Sequence, residues 1–390
     1  MTRIALLGPA NSIHLQRWAT ALAQRGHALC VISQQRCERS LLPAAAQVVW
    51  LPHGGAAGYF RNVPALRRTL REWQPDLLNA HYASGYGTTM ALSGFSPTLL
   101  SVWGSDVYDF PNESALKGRL LRWNLRRASA IASTSEAMAR QVQLLTPERH
   151  AVAVTPFGVD MTHFVPGPRR GVLMPTPTPA LTPTPTLTPT PAPDHAPAPL
   201  TIGIVKSLAP KYGVDLLLRA FAGLLGDAEV IAQGPPCRLL VVGDGPQRTA
   251  LEALAQTLGI AHCTEFAGAV AHAEVPAWLQ RFDVYAAPSR LDSESFGVAV
   301  IEASACALPV VVSDVGGLPE VVRDGETGLV VPRENVAALQ AALKRLVLDA
   351  GLRDRLGSAG RAHVAREYEW GHCVDLMTQC YARLLNKASP

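Results

Sequence analysis

The chain has 390 residues, 48% hydrophobic and 17% charged, which excludes a mainly disordered, collagenous or coiled-coil protein and predicts two or three domains. Mean hydropathy is +0.12 and formal net charge +4, too small to imply nucleic acid without clustering. The basic excess lies in residues 1–168 and an acidic excess in 200–390, so the first half is the one expected to meet an anionic surface.

In chain order, the first elements form a βαβ opening: strand 3–7, turn 8–12, helix 13–25 closed by Gly26, strand 28–33. The first apolar run is too short for a signal peptide, and no later stretch reaches ~18 uncharged apolar residues, so no membrane span is expected. Further strands are predicted at 77–80, 98–102, 130–133 and 151–155, with helices between. Between them, 116–127 reads Leu-Lys-Gly-Arg-Leu-Leu-Arg-Trp-Asn-Leu-Arg-Arg. Helical spacing places Arg119, Arg122 and Arg126 on one face beside Trp123, and Arg61, Arg67, Arg68 and Arg71 form a second basic cluster. Such surfaces gain about 1 kcal/mol per cation at anionic lipid, so peripheral binding at the inner leaflet is set against a merely solvated basic helix.

Ten of the 31 prolines fall in 175–199, alternating with threonines. That segment lacks the donors and apolar surface to join a core and reads as an extended spacer, with a glycan-bearing stalk as the alternative. Beyond it, strands at 200–205, 238–242, 284–287 and 309–312 alternate with helices at 214–225, 247–258, 275–281 and 298–306. The alternation predicts an α/β fold of two doubly wound Rossmann-like domains, with parallel sheets whose carboxyl ends face a central cleft. The expected boundaries are 1–168, an insert at 169–199, 200–365, and a C-terminal helix in 366–390 packing back on the first domain. Seven cysteines with no C-x-x-C pair argue against a disulfide framework or zinc site and suit a reducing cytoplasm.

Three segments carry chemistry. Residues 201–213 run from a strand through a loop holding Lys206 and Lys211 to a helix start, an arrangement suited to a diphosphate, although solvated loop lysines are the plainer reading. Gly243 and Gly245 in Val-Val-Gly-Asp-Gly-Pro let backbone approach a ligand. In 289–319, Glu294 lies in a loop and Glu302 eight residues on, inside the helix that Phe296 and Gly297 open. Free amides at that helix start and two carboxylates can hold anionic oxygens and sugar hydroxyls.

The run Glu-Ser-Phe-Gly-Val-Ala-Val-Ile-Glu-Ala at 294–303, then Gly316, Gly317, Leu-Pro-Glu at 318–320 and Asp-Gly-Glu-Thr-Gly at 324–328, resembles the donor-site signature of family-four retaining glycosyltransferases with the GT-B fold. The likeness extends over nearly the whole chain except 175–199. It implies a nucleotide-diphosphate sugar, UDP- or GDP-linked, bound mainly by the second domain, and a lipid-linked or polysaccharide acceptor bound mainly by the first, in cell-envelope or exopolysaccharide synthesis. Lys206 and Lys211 would stabilise the diphosphate, Glu294 with Ser295, Phe296, Gly297 and Val298 would hold the sugar, Glu302 the ribose, and Phe266 would stand beside the base. No metal is implied; Asp-Ser-Glu at 292–294 is the nearest approach to Asp-x-Asp.

Two departures qualify the resemblance. Trp103 stands where many members have a histidine, leaving Asp106 and His81 as the catalytic candidates from the first domain, with a structural role open for His81. Trp103 reads as a sugar-stacking platform or a packing residue. The first loop lacks the usual Gly-Gly, while Asn11 and His14 remain in place to meet acceptor or phosphate. The rival readings are a sugar-nucleotide epimerase on the same fold and a catalytically silent nucleotide-sugar-binding subunit.

Overall fold

The computed structural model describes residues 1–148, 151–167 and 199–388. The predicted insert at 169–199, Pro199 apart, lies outside the described residues.

The first domain is a seven-stranded sheet built from β1 (Arg3–Leu7), β2 (Ala28–Ser33), β3 (Gln47–Trp50), β4 (Leu77–His81), β5 (Thr98–Ser101), β6 (Ala130–Ser133) and β7 (Ala153–Val154). Its order is β3-β2-β1-β4-β5-β6-β7, and every pairing is parallel. The second sheet contains β8 (Leu200–Val205), β9 (Cys237–Val242), β10 (Thr264–Gly268), β11 (Val284–Ala287), β12 (Val310–Ser313) and β13 (Leu329–Val331), again all parallel, in the order β10-β9-β8-β11-β12-β13. Chain order reverses between β1 and β4 in one sheet and between β8 and β11 in the other. In open α/β sheets the crevice at that reversal is where ligands sit.

Alternating side chains give each sheet two apolar faces. In the second, Ile202, Ile204, Leu239, Val241 and Val284 meet the helices Val214–Leu225 and Val336–Leu348. Leu240, Val242, Tyr285 and Val310 face the other way, toward Phe296, Val300 and Ile301, and Phe157 and Phe164 join this cluster. The helix Trp370–Ala388 returns to the first domain, where Val374, Met377 and Tyr381 pack with Ile4, Leu6 and Leu29. The crossing is fixed by reciprocal backbone bonds, from Val159 N–H to the Tyr368 carbonyl (2.8 Å) and from Trp370 N–H to the Val159 carbonyl (2.9 Å).

The expected strands and helices appear within a residue or two of their predicted bounds. Three short strands, β3, β10 and β13, were not anticipated, and the segment around Phe266 is β10 rather than a turn.

Candidate functional site

The centre of the site lies at the carboxyl ends of β8 and β11. Lys206 directly follows β8, and its Nζ lies 2.7 Å from Glu294 Oε1, 88 residues away in sequence. Burial alone would lower the Lys206 ammonium, but the Glu294 charge and hydrogen bond outweigh it and hold the group above its ordinary value. The Tyr212 ring lies 4.8 Å from the Lys206 Nζ and 4.9 Å from that of Lys211, so one aromatic surface gathers both cations. Lys211 is steadied through its backbone: its carbonyl accepts from Arg290 N–H (2.8 Å), and Arg290 in turn forms a two-pronged pair with Asp215, both contacts at 2.7 Å.

Gly243 must be glycine at this point. Its φ is +135°, and a Cβ there would stand 1.9 Å from the Lys206 carbonyl oxygen, so the turn after β9 presses against the residue carrying the ammonium. Gly245 likewise lies against Leu208 backbone.

The loop 294–297 opens the helix Val298–Ala305, whose N-cap Gly297 offers no side chain to its first amides. Phe296 is buried against Phe157 and Tyr368, so backbone rather than ring is what this loop presents. Glu302 is 5% exposed and meets His272 Nε2 at 2.8 Å. The helix Ile13–Gln24 of the first domain brings Arg17 near the same carboxylate, with its guanidinium 4.1 Å over the Trp370 ring.

From the first domain, Trp103 packs edge-on against His14 (5.7 Å), His81 (5.6 Å), Tyr82 (6.2 Å) and Phe157 (5.8 Å). Its location is thus a junction of rings beside the cleft. His14 stacks on Phe157 at 4.1 Å, and burial, Arg17 and His272 push it down to about 4. His81, at the end of β4, is 1% exposed, neither ring nitrogen has a hydrogen-bond partner among the described residues, and burial followed by His14 lowers it to about 3, so it is a neutral imidazole. Asn11 is exposed.

Two of the expected site residues are engaged within their own domains. Asp106, expected as a catalytic candidate, is fully buried and accepts from the N–H groups of Ala83 (2.7 Å), Trp103 (3.0 Å) and Gly104 (2.8 Å), so it shapes the Trp103 loop. Phe266, expected beside the base, packs against the cluster that contains Leu251 and Ala255, and Ala267 packs against the cluster that contains Val300 on the other face of the sheet. No spacing in the sequence points to Arg17, Arg290 or His272 as neighbours of the site; each arrives by tertiary packing.

Apart from the cleft, the helix Ala115–Arg127 buries Leu121 and Leu125 and leaves Leu116, Arg119, Trp123 and Arg126 exposed, with Arg122 half-buried. Arg126 is paired with Glu148 at 2.5 Å, so one of the three predicted surface cations is already compensated. No helix is long and apolar enough to cross a membrane among the described residues, and none of their His, Cys, Asp and Glu side chains cluster in threes as metal ligands.

Residues 192–363 match the family model for glycosyl transferases group 1, and residues 3–135 the model for glycosyl transferase 4-like proteins. The chain is 36% identical over 168 residues to a GDP-mannose-dependent alpha-(1-6)-phosphatidylinositol monomannoside mannosyltransferase of Mycolicibacterium smegmatis, covering 42% of each chain. It is 31% identical over 258 residues to a D-inositol 3-phosphate glycosyltransferase of Mycobacterium tuberculosis, covering 66% of this chain and 49% of that one. The match thus spans less than half the length of these curated relatives. Among solved structures, the sucrose-phosphate synthase of Thermosynechococcus elongatus aligns with a TM-score of 0.80 at 20% identity, over 99% of this chain and 100% of that one. HepE of Anabaena in complex with UDP-glucose aligns at 0.76 and 18%, over 98% and 100%. These two likenesses are likenesses of fold.

Proposed function

The chain belongs to the group 1 glycosyltransferases with the GT-B fold, and on that premise we propose that it moves a sugar from a nucleotide-diphosphate sugar to a lipid-linked or polysaccharide acceptor with retention at the anomeric carbon. The observation that carries the reading is the convergence of Lys206, Lys211, Glu294 and the start of the helix Val298–Ala305 at one sheet's reversal point.

Departure of a nucleoside diphosphate places negative charge on phosphate oxygens, and preorganised cations stabilise that charge most where water is excluded. In this reading the diphosphate takes Lys206 and Lys211, and Glu294, released from Lys206, turns to the sugar hydroxyls. The Glu302 carboxylate takes the ribose, in competition with His272. Two lysines and the helix amides supply the positive charge that a metal provides elsewhere, so transfer is proposed without one. His81 and His14, both neutral, line the acceptor side with Asn11 and Trp103. The GDP-mannose-dependent and inositol-phosphate relatives make GDP-sugars and phosphorylated or lipid acceptors the first to try, and HepE with its UDP-glucose adds UDP-sugars. The exposed Arg119 and Trp123 surface is proposed to rest on an anionic membrane.

The test is a panel of UDP- and GDP-sugars with chelator present, following nucleotide release and the anomeric configuration of the product, with Glu302→Ala and Lys211→Ala alongside. Release from one donor that both substitutions suppress supports the reading. A changed nucleotide sugar without acceptor would favour an epimerase.

A further inference from the structure

The helix Glu136–Leu145 of the first domain starts at the domain boundary, and its opening amides are satisfied from the second domain. A helix start leaves four N–H groups without intrahelical partners. Ser135 serves one from within the domain, accepting from Met138 N–H at 3.1 Å. The N–H groups of Glu136 (2.8 Å) and Ala137 donate to the two carboxylate oxygens of Glu320, and the Arg140 guanidinium lies 3.4 Å from the same carboxylate. A carboxylate at the positive end of a helix makes charge-assisted bonds, stronger than neutral ones.

Both sides of this contact are tied to the loop that carries Glu294. The Ser135 hydroxyl donates to the Ser295 carbonyl at 2.6 Å, and the Ser295 hydroxyl donates to the Trp103 carbonyl at 3.0 Å. Glu320 rides on the short helix Leu318–Val321, and Gly317 before it donates its N–H to the Glu294 carbonyl at 3.2 Å. A Cβ on Gly317 would lie 2.2 Å from the Ser295 carbonyl oxygen, so loop and helix touch backbone to backbone. Displacing Glu320 therefore displaces residues 294–297.

We propose that Glu320 and Ser135 are positioning residues: Glu320 clamps the first domain's helix start, so that closure of the two domains sets the backbone of 294–297 in the geometry that holds the donor sugar. The last step rests on the reading of that loop as sugar-binding. Neither residue touches substrate; both act through the loop. With the domains apart, the Glu136 and Ala137 amides return to water and the Ser295 carbonyl loses its donor.

Amide hydrogen exchange at Glu136 and Ala137, measured in the full chain without ligand, tests the clamp directly. Glu320→Ala is expected to speed exchange at both amides by about tenfold, the loss of a charge-assisted bond, and Glu320→Gln by less. Amides at 141–145, bonded within the helix, keep their rates and report that the fold is intact. Unchanged exchange at Glu136 and Ala137 overturns the proposal. In turnover, Glu320→Ala and Ser135→Ala should each lower kcat about tenfold while nucleotide Kd stays within about twofold, the split expected of groups that act only in the closed state. A wild-type kcat in both variants overturns the positioning role. A wild-type protein that binds no nucleotide would refute the donor reading instead, with the exchange result still deciding whether the clamp exists.

Discussion

Lys206 Nζ and Glu294 Oε1 stand 2.7 Å apart although 88 residues separate them, because β8 and β11 are neighbours at the point where chain order reverses. The pair is nearly buried, with side-chain exposures of 13% and 7%. A cation and a carboxylate held together where a charged ligand is expected compensate each other until that ligand replaces the partner.

Breaking the pair from one side leaves a buried charge without compensation. Lys206→Met or Glu294→Gln alone should cost about 3 kcal/mol of stability, and the double variant should be more stable than either single one. Urea midpoints of the three variants against wild type measure this. Additive losses in the double variant would mean the two groups do not compensate one another.

Gly243→Ala should destabilise the second domain by about 2–4 kcal/mol, since both the left-handed φ and the contact with the Lys206 carbonyl oppose a Cβ. Thermal unfolding reads the cost, and a variant within 0.5 kcal/mol or so of wild type would contradict it.

The neutral His81 and His14 make stability depend on pH. Their folded pKa values, about 3 and about 4, lie below the unfolded value of 6.5, so below pH 6.5 the unfolded chain binds more protons. Stability is full above that pH and declines as pH falls toward 4 and 3, by up to ~1.4 kcal/mol per pH unit for each histidine. Denaturant midpoints between pH 6.5 and 5, above the main carboxylate range, should fall less steeply in His81→Gln than in wild type. Equal slopes would show that His81 takes up its proton in the folded state.

The fold was legible where strands are central. In β8 and β11, covered on both faces, the run is apolar but for Thr201, and the Leu-rich pattern of the helix Val214–Leu225 shows its buried face in the sequence. β3 and β10 are edge strands with half-exposed faces and polar starts at Gln47 and Thr264, so neither period nor apolar run betrays them; β13 has three residues. Of the site, Lys206, Glu294 and Glu302 could be assigned through a family-like motif, whereas His272 beside Glu302 depends on packing that no spacing encodes. Asp106 shows the converse. Its motif draws attention to chemistry, and the three backbone amides bound to its oxygens are visible only in the folded loop.

The helix Ala115–Arg127 presents Arg119 and Trp123 to solvent, while Arg126 is held by Glu148. Arg119→Glu with Trp123→Glu should reduce flotation with anionic vesicles several-fold, at about 1 kcal/mol per lost cation, and leave neutral vesicles unaffected. Nucleotide release from soluble donor should not change. Flotation equal to wild type would assign this face to solvent.

The central claim is that a nucleotide diphosphate binds at the carboxyl ends of β8 and β11. Calorimetric titration of UDP and GDP into wild type, Lys211→Ala and Glu302→Ala, with chelator present, tests it most directly. The account predicts that one of the two nucleotides binds wild type and that each substitution weakens it at least about tenfold, as loss of a charge-assisted contact should. Binding of neither nucleotide, or equal affinity in all three proteins, would contradict it.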